Sequence, residues 1–211
     1  MKNSGNYLHL ALITICFWGC VRQPKDTNKN IDYRKTKSEY EDKFIKHFPD
    51  HIEGSRYMTN SSVAHDNKER SFYLYEFDVS NNTLDSLNEA VKSKGVVSYN
   101  WADSCLFIFR SNETLEPFDD ENLDTSYYDL DCFTSKQPIP NFIHLKSPNS
   151  KNGISMDSTF NIYVLEAKAG NYSRYKMSPL ESMPKNWENG FSRGIAISNK
   201  KAVVVYWFII W

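Results

Sequence analysis

Residues 202–211 read AVVVYWFIIW, ten apolar residues in succession, directly after Lys200 and Lys201. A helix of this length does not cross a bilayer, which takes about 20 apolar residues. A strand of an outer-membrane barrel would alternate lipid-facing and polar positions and would need many companions of the same kind. In an extended chain, Val203, Val205, Trp207, Ile209 and Trp211 fall on one side, and Val204, Tyr206, Phe208 and Ile210 on the other. Both sides are apolar. The run therefore predicts an interior strand of a sheet that is covered on both faces. At about 3.3 Å per residue it reaches roughly 33 Å, enough to span a domain.

Working outward, Gly194–Ser198 (GIAIS) reads as the strand before it, with Asn199-Lys200-Lys201 as the hairpin loop between them. Three more runs rich in aromatic and β-branched residues read as strands: SFYLYEFDV (71–79), CLFIFR (105–110) and FNIYVLEA (160–167). In the first, the alternation predicts one buried face. Two helices are expected. Ser38-Glu39-Tyr40-Glu41 has the form of a capping box, and Tyr40, Phe44, Ile45 and Phe48 follow on one face before Pro49. Thr83 to about Lys94 places Leu84, Leu87 and Val91 on one face, and Gly95 closes it. The expectation is an α+β single domain over residues 38–211, with an antiparallel or mixed sheet, about two packed helices and a buried C-terminal strand.

Composition agrees with a folded domain. The 211 residues are 40% hydrophobic and 24% charged, with a net charge of −1. That balance gives no general attraction to nucleic acid, and no basic stripe with interleaved aromatics is present. The first residues are different in kind. One charged residue, Lys2, is followed by the apolar run YLHLALITICFWGC (7–20), the pattern of a secretory signal peptide. Its close, Phe17-Trp18-Gly19-Cys20, resembles the lipobox of bacterial lipoproteins, with bulkier residues at Phe17 and Trp18 than that family usually has. The resemblance implies cleavage after residue 19, acylation of Cys20 and a membrane anchor; several acyl chains hold a protein to a bilayer almost permanently. Residues 21–37 carry six Lys or Arg against two Asp and little apolar pattern, so 20–37 is expected to be a flexible basic tether. Val21-Arg22-Gln23 lacks the acidic residues that direct some lipoproteins to the cell surface, which implies a periplasm-facing envelope protein. SMPKNWENGFSRGIAIS (182–198) is similar to the close of small uncharacterised envelope lipoproteins, a likeness that carries no activity.

Four features invite a chemical reading. Gly190-Phe191-Ser192-Arg193-Gly194 is a literal G-x-S-x-G, but it does not follow a strand, and the last His of the chain, His144, precedes the Ser. It is expected to be a turn. Asp103-Ser104-Cys105 leads into a strand rather than a helix N-terminus, where a reactive thiolate would be favoured. His47, His51 and His65 do not share a helix because Pro49 breaks it, so exposed histidines rather than a zinc site are expected. Residues 112–132 hold eight carboxylates and no basic residue. Asp119, Asp120, Glu121, Asp129 and Asp131 are weak candidates for a cation site, without the spacing of a Ca²⁺-binding loop, and a solvated acidic loop is the commoner use of such a run.

No catalytic residues, resident metal or cofactor are therefore expected. Cys105 and Cys132 remain once Cys20 is acylated. In an oxidising envelope such a pair points to a disulfide, whereas a free thiol in an apolar strand is also common; both stay open. The leading expectation is a lipid-anchored, non-catalytic binding or interaction module whose partners are the membrane and a protein or glycan, not nucleic acid. The alternatives are a ligand- or carbohydrate-binding lipoprotein and an envelope hydrolase of unrecognised type. Exposed Trp101 or Trp187 in one concave patch would favour the carbohydrate reading, since exposed indoles stack on apolar faces.

Overall fold

The computed structural model describes residues 28–62, 70–103, 106–109, 135–140, 142, 156–173, 177–180 and 183–211. The segment 1–19, Cys20, Cys105, Cys132, His65, His144 and the acidic candidates Asp119, Asp120, Glu121, Asp129 and Asp131 lie outside these residues. In chain order the elements are α1 (Asn28–Lys37), α2 (Asp42–Ile45), β1 (Arg56–Ser62), β2 (Arg70–Phe77), α3 (Asn81–Lys92) and β3 (Val97–Asn100). They continue as β4 (Ile108–Phe109), β5 (Ile139–Pro140), β6 (Asn161–Ala169), β7 (Gly190–Ser198) and β8 (Val203–Ile210). Six strands form one antiparallel sheet in the order β1-β2-β8-β7-β6-β3, and β4 pairs with β5 in a small parallel ladder.

The doubly apolar run is the interior strand that its pattern predicts. Every residue of β8 is buried, and it pairs with β2 on one side and β7 on the other. Its two side-chain sets part as the alternation requires. Val204, Tyr206, Phe208 and Ile210 join a core with Tyr33, Phe44, Ile45, Phe48, Leu84 and Val91, so all three helices lie on that face. Val203, Val205, Trp207, Ile209 and Trp211 join a second core with Leu106, Phe107, Ile139, Phe142 and Met156, supplied by the β4–β5 layer and its flanks. The fold is a three-layer α+β domain, with the helices on one face and the small ladder on the other.

The second cover explains one departure from the sequence pattern. On β2, Phe72 and Leu74 face the helices while Tyr75 faces the ladder, and all three are buried. Both faces of this strand are covered, not one. Glu76 is buried too, and its carboxylate accepts from the backbone N–H groups of Glu53 (2.6 Å) and Gly54 (2.8 Å). A buried carboxylate needs such donors.

The N-terminal boundary also moves. Residues 28–37, expected to belong to the tether, form α1 and carry Tyr33 into the core at 1% exposure. Its hydroxyl donates to the Pro49 carbonyl at 2.6 Å, and Lys37 Nζ donates to the carbonyls of Phe48 and Pro49. A basic charge count misses one aromatic anchor. Ser38 does not cap a following helix, because its N–H and hydroxyl are taken by the carbonyls of Arg34 and Lys35 at the end of α1. The expected first helix shrinks to α2, although Tyr40, Phe44, Ile45 and Phe48 are all buried as their spacing predicts. The second expected helix is α3. Ser80 caps it by accepting from Thr83 N, and Gly95 follows at φ 61°, a left-handed conformation that glycine takes without strain.

Deleting residues 208–211 is expected to abolish the cooperative unfolding transition rather than trim a tail. Phe208 and Trp211 are each 1% exposed. Removing one such buried aromatic costs about 3–5 kcal/mol against a total stability of about 5–15 kcal/mol. Thermal unfolding followed by near-ultraviolet circular dichroism checks this; a melting point within a few degrees of the full chain would contradict it.

Candidate functional site

Apart from the exposed His51, the chemical candidates that fall within the described residues find structural uses. Gly190–Gly194 is not a turn: it opens β7, all of it buried. Ser192 is 0% exposed and donates its hydroxyl to the Pro138 carbonyl at 2.6 Å, which ties the small ladder to the main sheet. Trp207 Nε1 in turn donates to Ser192 Oγ at 3.4 Å. A side chain on Gly194 would collide with the Trp207 ring and the Tyr163 carbonyl, so that glycine admits the indole flat against the strand. These two glycines and the serine are in the motif for packing, which is why its local sequence context does not match a nucleophile turn.

Arg193, 7% exposed, lies on the helix-covered face and binds Glu166 through Nη2 at 2.7 Å. The lysine and arginine beside Glu166 hold its carboxyl below the usual range. His47 lies on the same face. It is not the exposed histidine expected from sequence: Nε2 is 2.9 Å from the Trp207 carbonyl, and because a carbonyl only accepts, Nε2 carries the proton. Nδ1 is buried and has no hydrogen-bond partner among the described residues. Burial is the main force on this imidazole. Together with the positive charge of Arg193, and against the opposing pull of the Trp207 and Gly194 carbonyls, it lowers the pKa from 6.5 to about 3. His51 is exposed, and no group of three potential metal ligands occurs among the described residues. The two tryptophans are half-buried, with Trp187 against Trp211 and Phe107, and Trp101 against Phe142. They pack into the second core and do not offer an exposed stacking patch.

A different surface gathers polar groups. Where α3 passes the start of β6 and the β7–β8 turn, an open groove of about 570 Å³ is lined by Asp85, Asn88, Glu89, Lys92, Thr159, Asn161, Asn199 and Lys200. The helix supplies four of these from its outer stripe, since positions three and four apart share a face. Its floor is organised by a directed chain of hydrogen bonds. Tyr163 OH donates to Asn88 Oδ1 at 3.0 Å, Asn88 Nδ2 donates to Asn199 Oδ1 at 2.9 Å, and Asn199 Nδ2 donates to Asp85 Oδ1 at 3.2 Å. Both amide orientations follow from their partners. Asn88 Nδ2 also meets the Leu84 carbonyl at 3.0 Å, and Asn199 Nδ2 meets a carboxylate, neither of which donates. Beside the groove, Thr159 Oγ1 is 2.6 Å from Ser198 Oγ, and Lys201 Nζ is 2.8 Å from Asp157.

No local pattern in the sequence marks this groove. Asn88 and Asn199 are 111 residues apart, and polar residues on a helix exterior or in a turn carry no signal that they converge. No protein-family model, curated protein or solved structure matches the chain. The fold and the groove therefore stand on their own geometry.

The buried imidazole generates a pH prediction. The unfolded chain binds a proton on His47 near pH 6.5, the folded chain only near pH 3. Its contribution is therefore full above the unfolded value and is lost as pH falls toward the folded one. Between pH 7 and pH 5 the loss should be about 2 kcal/mol, in a window above the titration of ordinary carboxylates. Denaturant unfolding at both pH values should show this loss in the native chain and little of it in His47→Gln. An equal loss in both proteins would contradict the assignment.

Proposed function

We propose that this chain is a lipid-anchored envelope protein whose folded domain is a non-catalytic binding module. The observation that carries the binding part is the groove beside α3. Its described lining consists of amides, carboxylates, ammonium groups and a hydroxyl, of which Asn88, Asn199 and Asp85 are joined by a directed hydrogen-bond chain. Such groups recognise polar ligands by hydrogen bonds and charge, and fixing them before the ligand arrives lowers the cost of ordering them on binding.

The anchoring part rests on the Lys2 to Cys20 segment and its likeness to a lipobox. A helix following so soon after the anchor would keep the domain close to the bilayer: only residues 21–27 separate Cys20 from α1. No helix among the described residues is long and apolar enough to cross a membrane. In this reading the acyl chains provide attachment and the basic residues beside Cys20 add contact with anionic headgroups, worth about 1 kcal/mol for each one near the surface.

Cys20→Ala tests the anchor. The native chain should partition with membranes and carry the added mass of the acyl groups. The variant should appear as an uncut precursor or in the soluble fraction, without that mass. Membrane fractionation and intact-mass spectra identical for the two proteins would rule the anchor out.

A further inference from the structure

We propose that the groove between α3, the start of β6 and the β7–β8 turn binds a small zwitterionic ligand, one carrying an ammonium group and a carboxylate, as free amino acids and dipeptides do. This deepens the binding-module reading and rests on it, but it is independent of the anchor.

The charges of the groove favour such a ligand. Among the described residues the lining holds two carboxylates, Asp85 and Glu89, and two ammonium groups, Lys92 and Lys200, a balance that favours neither net anions nor net cations. A ligand with both signs satisfies both sets. Asp85 and Glu89 are one helical turn apart, where like charges repel. A ligand ammonium between them removes that repulsion. Neither carboxylate is in an ion pair among the described residues, and nor are Lys92 and Lys200. The contrast with the next residue is informative, because Lys201 is held by Asp157 at 2.8 Å. One lysine of the turn is used to fasten it, while its neighbour lines the groove.

Part of the groove is ordered before any ligand arrives. The chain from Tyr163 through Asn88 and Asn199 donates at every step toward Asp85 Oδ1. Hydrogen bonds aligned in one sense polarise one another, which strengthens the chain. It orients Asp85 through Oδ1, while Oδ2 has no hydrogen-bond partner among the described residues. A positioned carboxylate with a free oxygen is an acceptor for an ammonium group, and charge-assisted hydrogen bonds are the stronger kind.

The lining also narrows the ligand by what it omits. Among the described residues it contains no aromatic ring, so a sugar or nucleobase would find no stacking surface there. The space of about 570 Å³ has room for a ligand of dipeptide size. Because the groove is open to water, binding should be weak, with a Kd of roughly 10 µM to 1 mM.

The experiment titrates the full chain with alanylalanine, with its N-acetylated form and with its C-terminal amide, following backbone amides by NMR. The expected result is that alanylalanine shifts signals of α3 and of residues 159–161 and 199–200, and that each blocked form binds at least tenfold more weakly. Asp85→Asn and Lys200→Gln should each weaken alanylalanine binding at least tenfold. Lys200 is exposed in a turn, so its variant keeps the test valid even if Asp85→Asn disturbs α3. Equal binding of all three forms, shifts confined to another surface, or no shifts at all would overturn the proposal. A chain that loses its membrane attachment on Cys20→Ala yet binds none of the three forms would overturn the ligand assignment and leave the anchor standing.

Discussion

The sheet is two halves joined by one strand. β1 and β2 form a hairpin near one end, and β7, β6 and β3 form the other half; in the order β1-β2-β8-β7-β6-β3 only β8 touches both. Its ladder with β2 runs from Phe77↔Val203 to Arg70↔Ile210, and its ladder with β7 from Ser198↔Val203 to Phe191↔Ile210. The last strand in sequence is thus the seam of the fold. Long-range pairings of this kind cost loop-closure entropy before they return anything, so the seam must bury much apolar surface to hold. The ten-residue apolar run supplies that surface on both faces.

Covering a strand twice has chemical consequences for everything near it. Small residues must let the large ones in, and the absent side chain of Gly194 accommodates the Trp207 indole. Polar groups trapped beneath the two covers must be partnered. Ser192 reaches Pro138, Glu76 takes two backbone N–H groups, and Arg193 takes Glu166. His47 meets this requirement only in part: Nε2 keeps a hydrogen bond to the Trp207 carbonyl, Nδ1 has none among the described residues, and the ring remains neutral because a charge there would be desolvated beside Arg193. Groups that in an open cleft would suggest chemistry are occupied here in closing the interior. A group of solvent-open polar side chains lies instead at one end of the central strands, where α3 and the β7–β8 turn meet.

Several elements were legible in the sequence for physical reasons. A doubly apolar β8, the amphipathic α3 with its closing Gly95 and the Asn199–Lys201 loop follow from periodicity and turn chemistry, which are local. What was not legible depends on distant partners. α1 is held by Tyr33 reaching Pro49, a contact that a charge count over 21–37 does not register. Ser38 looks like a helix start, but it is spent at the end of α1. The Gly190–Gly194 pentapeptide looked like a turn because its glycines are read locally as turn residues, whereas here one of them makes room for an indole that lies flat on the strand. The groove needed three segments brought together, and no single segment announces it.

Native-state hydrogen exchange of the β8 amides is the most direct measurement. If β8 is the seam, amides from Val204 to Ile210 exchange only through global unfolding, with protection at least equal to that of β7 and greater than that of α3 and the short edge strand β3. If β8 amides exchange through a partial opening while β6 and β7 stay protected, the two halves hold without it, and the account of the fold is wrong.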